Sequence, residues 1–287
     1  MEKKHKIGFN LLPWSSTLSP ALNPVADRLK EIGYDGVECF MGEGSEQSYI
    51  DFGKRLKDCG LESTCVLGLG PEHDPISESP AVRSKAVEKL KWAVDRASDL
   101  GARLICGPVH SAFTNFRLRP PSEDEFKWSA ETLHIAGEYA ATSQVVFAVE
   151  ALNRFECYLC NTAEQLLKLT ALADHPNIRV MFDTHHANIE EKKYAPAIIA
   201  LKDKLAHVHI SENDRGTPGD GHVQWEETFS TLSQIGYEGW LTIEAFSRND
   251  EGFANSINVW RTFSPTWEIA AKGFRFTEKM KQKYLEG

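Results

Sequence analysis

Residues 145–155, VVFAVEALNRF, join an apolar run to a carboxylate at its end, Glu150, with an Asn-Arg pair just beyond it. A short apolar run that ends in a charged side chain is typical of a buried parallel strand that opens onto a site. Three later stretches repeat this design: IRVMFDTHH at 178–186, AHVHISENDRG at 206–216 and WLTIEAF at 240–246. The sequence therefore predicts four strands that end at one place.

Eight strand candidates of this kind run along the chain, at 6–12, 36–40, 63–69, 103–109, 145–150, 179–183, 206–211 and 240–246. Between them lie segments in which apolar residues recur every three or four positions, as in a helix with one buried face. Gly33, Gly60, Gly101 and Gly236 follow such segments, where glycine favours the left-handed cap that ends a helix. Alternating strands and helices indicate an α/β fold of the TIM-barrel class, a (β/α)₈ barrel, and we expect one domain over residues 1–287.

The bulk composition is that of an ordinary globular protein, with 41% hydrophobic and 25% charged residues and a formal net charge of −9. Such an acidic chain argues against a nucleic-acid surface, which normally carries a basic face. The sequence predicts no signal peptide, because the apolar part of its first residues is too short. It predicts no membrane span, because no apolar stretch approaches about 18 residues. Four of the six cysteines lie in or beside apolar strand-like runs, which favours buried free thiols and a cytoplasmic location.

The four strand ends supply a set of potential metal ligands: Glu150, Asp183, His209 and Glu244. They follow strands five to eight, which are neighbours in a barrel, and such barrels place reactive groups at the carboxyl ends of strands. Three carboxylates and one imidazole favour Mn²⁺, Mg²⁺ or Co²⁺ over zinc. A single carboxylate in such a position can instead cap the next helix or pair with a lysine, but four on consecutive strands favour one divalent ion.

Glu150 and Glu244 follow strands five and eight and are expected to face each other across the barrel mouth. A metal that binds two adjacent sugar oxygens acidifies the C–H between a carbonyl and a hydroxyl, and the charge that develops is that of an enediolate. Carboxylates on either side of that carbon can remove a proton from one face and return one to the other. The residues therefore predict a metal-assisted proton transfer on a sugar.

Four segments resemble the xylose-isomerase-like sugar epimerases, and most closely the ketose 3-epimerases of the D-tagatose and D-allulose (D-psicose) group. They are VEALNRFECYLCNTAEQ, FDTHHANIEE, HVHISENDRGTPGDGHVQW and WLTIEAF. The resemblance implies that the predicted ligands bind one Mn²⁺-like ion, with Glu150 and Glu244 as the acid/base pair for epimerisation of a free ketose at C3. We also expect a homo-oligomer, a dimer or a tetramer.

The same resemblance implies that Glu156, His186 and Arg215 hold the O1 to O3 end of the substrate. Candidates for the wall around the far end of the sugar are Trp14, His110, Phe113 and Phe246. Ordinary packing explains each of these four equally well. The Gly-rich loop 216–221 is a candidate phosphate cradle, but one Arg and no Lys accompany it, which favours an unphosphorylated ketose.

Two histidines that lie beside predicted site residues, His185 and His207, are predicted to have structural roles. His185 points away from His186 if the strand continues through both residues, because side chains alternate along a strand. His207 shares a face with His209 one layer deeper, where burial and a hydrogen bond are expected. The polar and aromatic segment 247–268 is expected to fold over the barrel mouth or to reach a partner subunit.

Alternative functions stay open at this point. An aldose–ketose or hydroxypyruvate-type isomerase, or an inosose-type dehydratase, shares the metal ligands and differs in the wall around the sugar. The endonuclease IV branch uses the same barrel on DNA but needs several metals, more histidines and a basic face. A carbohydrate-binding barrel without catalysis is the last alternative.

Overall fold

The computed structural model describes residues 4–42 and 44–286. Eight parallel strands close into a barrel in chain order, with β1 paired to β8. The strands are β1 His5–Asn10, β2 Gly36–Phe40, β3 Glu62–Val66, β4 Leu104–Gly107, β5 Val146–Val149, β6 Ile178–Asp183, β7 Leu205–Ile210 and β8 Gly239–Ile243. The predicted TIM barrel is therefore confirmed.

Helices surround the barrel, one or two after each strand. They are α1 Asn23–Ile32, α2 Glu46–Asp58, α3 Pro80–Leu100, α4 Glu123–Thr142, α5 Ala163–Ala173, α6 Thr184–Glu190, α7 Tyr194–Leu201, α8 Trp225–Gln234, α9 Glu251–Ser256 and α10 Thr266–Tyr284. Two short 3₁₀ turns, Pro20–Leu22 and Pro71–His73, complete the set over the described range. Among these helices none is long and apolar enough to cross a membrane.

Local sequence signals account for many helix ends. Ser122 and Glu125 form a capping box at the start of α4, where each side chain accepts from the backbone N–H of the other residue. Thr162 and Gln165 do the same for α5. The glycines predicted to end helices all have positive φ, as in Gly101, whose φ of 81° follows α3.

The main apolar core lies between the strands and the helices, and a smaller apolar cluster fills part of the barrel interior. Val66, Cys106, Ala148 and Met181 form this interior cluster. Beside it lie buried polar side chains on other strands, including Asn10, Glu38 and His207. The interior is thus partly polar directly below the carboxyl ends of the strands.

An irregularity between β6 and β7 aligns two predicted ligands. Val180 pairs with Leu205 but Met181 pairs with His207, so β7 holds one extra residue, Ala206, at this point. Beyond the shift Asp183 pairs with His209. The two side chains therefore end at the same level of the barrel.

The segment after β8 folds over the barrel mouth, which is the first of the two alternatives predicted for it. It contains α9 and packs through a separate apolar cluster made by Leu12, Phe246, Ala254 and Val259. We call residues 250–259 the mouth cover. Gly252, Phe253, Ser256 and Ile257 of the mouth cover line the cavity described below.

Candidate active site

The predicted metal ligands converge at the carboxyl ends of β5 to β8. Ligand atoms of Glu150, Asp183, His209 and Glu244 lie within 4.8 Å of one another, and all four residues are buried. Nδ1 of His209 is 3.4 Å from oxygens of both Asp183 and Glu244. The same nitrogen is 3.9 Å from Oε1 of Glu150. Ligands that share one divalent ion at bond lengths of about 2.1 Å are about 3 to 3.5 Å apart, so the spacing suits a single ion.

Two of these ligand atoms have no hydrogen-bond partner among the described residues: Oε1 of Glu150 and Nδ1 of His209. A buried polar atom without a partner costs about 1–3 kcal/mol, and a cation between the two would satisfy both. Burial, together with the Glu244 and Asp183 carboxylates, raises the pKa of Glu150 well above its ordinary value. The donor set therefore fits a divalent ion, which would relieve the repulsion between its carboxylates.

Arg215 links the ligand set to the cavity. Its Nη1 donates to Oε2 of Glu244 at 2.6 Å and to Oδ2 of Asp183 at 3.0 Å. Although burial opposes ionisation, the Arg215 guanidinium and nearby histidines hold the pKa of Asp183 well below its usual range. The Arg215 backbone has a φ of 64°, a left-handed conformation that costs energy for a residue other than glycine. Strain of this kind is typical of functional sites.

His186 faces the cavity because β6 ends at Asp183 and a helix begins. The Asp183 side chain accepts from the backbone N–H groups of His185 and His186 and so caps α6. Strand alternation, the basis of the prediction for His185, therefore does not apply. His185 instead turns toward the β7 loop, with Nδ1 3.2 Å from the carbonyl oxygen of Glu212.

His186 and Arg215 bring two N–H donors close together at the cavity. Nδ1 of His186 accepts from the backbone N–H of Asn153 at 3.0 Å, so the neutral imidazole carries its proton on Nε2. This Nε2 is 2.8 Å from Nη2 of Arg215. At this separation no atom fits between the two nitrogens, but an oxygen beside them, on the cavity side, would accept from both N–H groups. Glu156 lies beside them, hydrogen-bonded to Asn153 at 2.8 Å, and lines the same cavity.

The cavity above the ligands has a volume of about 450 Å³, within the range of small-molecule sites, about 300–1,000 Å³. Its inner end is polar and contains the ligand pair Glu150 and Glu244. Its remaining wall is mostly apolar and contains two of the wall candidates, Phe113 and Phe246, together with Leu12, Phe40, Val66, Leu69, Phe253 and Ile257. A larger hollow of about 880 Å³ lies around Lys6 and Trp240. That hollow is at the amino-terminal end of the barrel, away from the carboxylates, so the smaller cavity is the candidate site.

Two predicted wall residues lie elsewhere. The ring of Trp14 packs 5.2 Å from that of Phe9 and 4.8 Å from that of Trp267, which places it against the core and not in the cavity. His110 is buried behind the end of β5, with Nε2 3.0 Å from the carbonyl oxygen of Glu150. Burial lowers the pKa of His110 to about 4. Its neutral ring supports the backbone of Glu150.

Two polar residues on the other half of the barrel were missed by sequence reasoning. Glu38 on β2 is buried, and its Oε1 lies 2.8 Å from Nε2 of His209. Asn10 at the end of β1 donates to Glu38 at 3.0 Å and to Glu244 at 3.3 Å. The available signal was a carboxylate in the middle of the apolar strand GVECF, where an unpaired charge is costly.

The family model for the xylose isomerase-like TIM barrel matches residues 26–267, and the chain belongs to that family. An L-ribulose 3-epimerase from Methylomonas sp. is 30% identical over 286 residues, which cover 98% of this chain and 99% of the relative. A D-psicose 3-epimerase from Ruminiclostridium cellulolyticum is 32% identical over 243 residues, 83% of each chain. The crystal structure of D-allulose 3-epimerase from Methylomonas sp. in complex with D-allulose has a TM-score of 0.90 and 29% identity, over 97% of this chain and 98% of that one.

Proposed function

We propose that this protein is a metal-dependent ketose 3-epimerase that acts on free ketoses. The observation that carries the proposal is the pair of buried carboxylates, Glu150 and Glu244, within one converging ligand set at the inner end of the cavity. The similarity to ketose 3-epimerases over nearly the whole chain supports the same reaction. Mn²⁺ is the ion we propose, and the homo-oligomer and the cytoplasmic location stay predictions.

The residues of the inner end have complementary roles in this reaction. Glu150, Asp183, His209 and Glu244 would hold the ion, which supplies a Lewis acid for the negative charge that develops on the substrate oxygens. Glu150 and Glu244 exchange protons with C3 from opposite faces of the sugar, through a cis-enediolate. His186 and Arg215 direct donors at one substrate oxygen, and Glu156 accepts from a hydroxyl. The apolar outer wall receives the far end of the chain.

The loop after β7 supports an unphosphorylated substrate. The buried carboxylate of Glu212 accepts from the backbone N–H groups of Gly219 at 2.8 Å and Val223 at 3.1 Å. It also accepts from the indole N–H of Trp225 at 3.1 Å. These donors are occupied by a carboxylate from the chain itself, and a phosphate cradle requires free N–H groups.

The test is incubation of the Mn²⁺-loaded protein in D₂O with a panel of free ketopentoses and ketohexoses, each matched to its phosphorylated form. We expect a C3 epimer that carries deuterium at C3, detected by NMR and chromatography, from free ketoses only. Deuterium at C1 or C2 of an aldose–ketose pair would assign an isomerase instead. No exchange with any sugar would contradict the proposal.

A further inference from the structure

The Glu38 carboxylate lies in the centre of the barrel, directly below the candidate metal centre. Glu38 belongs to β2 and His209 to β7, two strands that are not neighbours in the barrel. Their side chains meet in the interior, where both are 0% exposed. Oε1 of Glu38 is 2.8 Å from Nε2 of His209, on the opposite edge of the imidazole from the ligand atom Nδ1.

Several donors hold this carboxylate in place. Asn10 Nδ2 donates to Oε1 at 3.0 Å. Thr64 Oγ1 and Cys106 Sγ donate to Oε2 at 3.0 and 3.2 Å. Nε2 of His207 lies 2.9 Å from the same oxygen but makes no hydrogen bond, since neither ring nitrogen of His207 has a partner among the described residues. The hydrogen bond predicted for this buried histidine is therefore absent. Each carboxylate oxygen thus faces two donors, so the group acts as an acceptor only, and the 2.8 Å separation from Nε2 of His209 is that of a charge-assisted hydrogen bond.

The contact determines which nitrogen of His209 carries the proton. A neutral imidazole has one N–H and one lone pair, and the hydrogen bond made by one nitrogen fixes the state of the other. Burial opposes ionisation, but the Glu38 and Glu244 carboxylates raise the pKa of metal-free His209 well above its ordinary value. In the neutral ring that an ion requires, Glu38 offers an acceptor at Nε2, so the one remaining proton resides there. The lone pair is then on Nδ1, which faces Asp183 and Glu244 and has no hydrogen-bond partner within the described part of the chain.

We propose that Glu38 is a positioning residue of the metal centre, which fixes the His209 tautomer that directs the Nδ1 lone pair at the ion. This inference rests on the proposed metal dependence. Partners of this kind orient a ligating histidine and raise its basicity, and their loss typically weakens metal binding about 10–100-fold. Glu38 does not line the cavity and is not expected to contact the sugar.

The test compares Glu38→Gln with Thr64→Val. Glutamine keeps the shape of Glu38 but offers one acceptor oxygen in place of two and no charge. Valine keeps the shape of Thr64 and removes one donor to Oε2, the oxygen that does not face His209. Mn²⁺ affinity is measured on metal-free protein by calorimetry and by the EPR signal of free Mn²⁺. We expect about 10–100-fold weaker binding in Glu38→Gln and a change of less than about threefold in Thr64→Val.

A second measurement reads the tautomer directly in wild-type protein loaded with diamagnetic Mg²⁺, because the raised pKa of metal-free His209 favours the doubly protonated ring. Histidine ¹⁵N chemical shifts distinguish the two tautomers, and comparison with His209→Gln assigns the signal. We expect His209 to carry its proton on Nε2. A proton on Nδ1, unchanged affinity in Glu38→Gln, or equal weakening in both variants would overturn the inference. If Glu38→Gln does not fold, the wild-type tautomer decides. Wild-type protein that binds no Mn²⁺ would instead contradict the proposed function.

Discussion

The two halves of the barrel use their polar residues differently. Strands β5 to β8 carry the four predicted ligands Glu150, Asp183, His209 and Glu244 at or just beyond their carboxyl ends, and His207 one layer deeper. Strands β1 to β4 contribute Asn10, Glu38, Thr64 and Cys106, which bind one another and the ligands from below and from the side. In the proposed reaction, one half would present the reactive groups to the cavity, and the other half would fix their orientation.

The largest effect is expected when the reactive half loses a proton-transfer group. Glu150→Gln keeps the size of the side chain but removes the base, so kcat should fall about 10²–10⁴-fold at saturating Mn²⁺. Epimer formation measured by chromatography checks this. Glu164→Gln, the same change on the exposed face of α5, is the matched control and should leave kcat unchanged. Retention of a tenth or more of wild-type kcat in Glu150→Gln would contradict the assignment.

A smaller effect is expected where the halves are joined. Asn10→Ala removes the amide that bridges Glu38 and Glu244 and leaves the backbone N–H of Leu12 without the acceptor it has in Asn10. The free energy of unfolding should fall by about 1–3 kcal/mol, because these groups are buried. Urea denaturation measures the change. Gln234→Ala, an exposed amide on α8, should change stability by less than about 0.5 kcal/mol. Equal effects in the two variants would show that Asn10 does not join the halves.

The smallest effect is expected outside both polar sets. Trp14→Phe keeps an aromatic ring between Phe9 and Trp267 and should lower the free energy of unfolding by about 1 kcal/mol. KM for the ketose should stay within about twofold, since the ring lies outside the cavity. Thermal unfolding and steady-state kinetics check both values. A large rise in KM with unchanged stability would indicate that Trp14 contacts the sugar after all.

The two halves also differ in how much of them the sequence could predict. Each reactive residue follows an apolar run directly, and a run that ends in a ligand is visible in a single stretch such as VVFAVE. The fold was predictable for the same reason, because alternating runs and amphipathic segments are local signals. The predicted strand limits are close, but several run too far at the carboxyl end: the prediction for the last strand is 240–246, and β8 covers Gly239–Ile243.

The supporting residues gave no comparable signal. The role proposed for Glu38 depends on its contact with His209, 171 positions later in the chain. Contacts between residues so distant in sequence follow from the closed barrel and cannot be read from a local stretch. Trp14 is a candidate for the sugar wall on its sequence, but α10 supplies Trp267 as a packing partner that the local sequence does not contain. His185 was placed by strand alternation, and the Asp183 cap that starts α6 replaces that alternation with a helical turn.

The mouth cover has a consequence for how a sugar enters and leaves. Its apolar cluster, with Ala254 and Val259 packed on Leu12 and Phe246, is separate from the main core. A small cluster of this kind can loosen at a free-energy cost well below that of global unfolding, as a local cooperative unit. We therefore expect the mouth cover to open while the barrel and its buried network stay folded. Amide hydrogen exchange in residues 250–259 would then be faster than in the strands. The rate of turnover would depend on how often the short helix α9 opens.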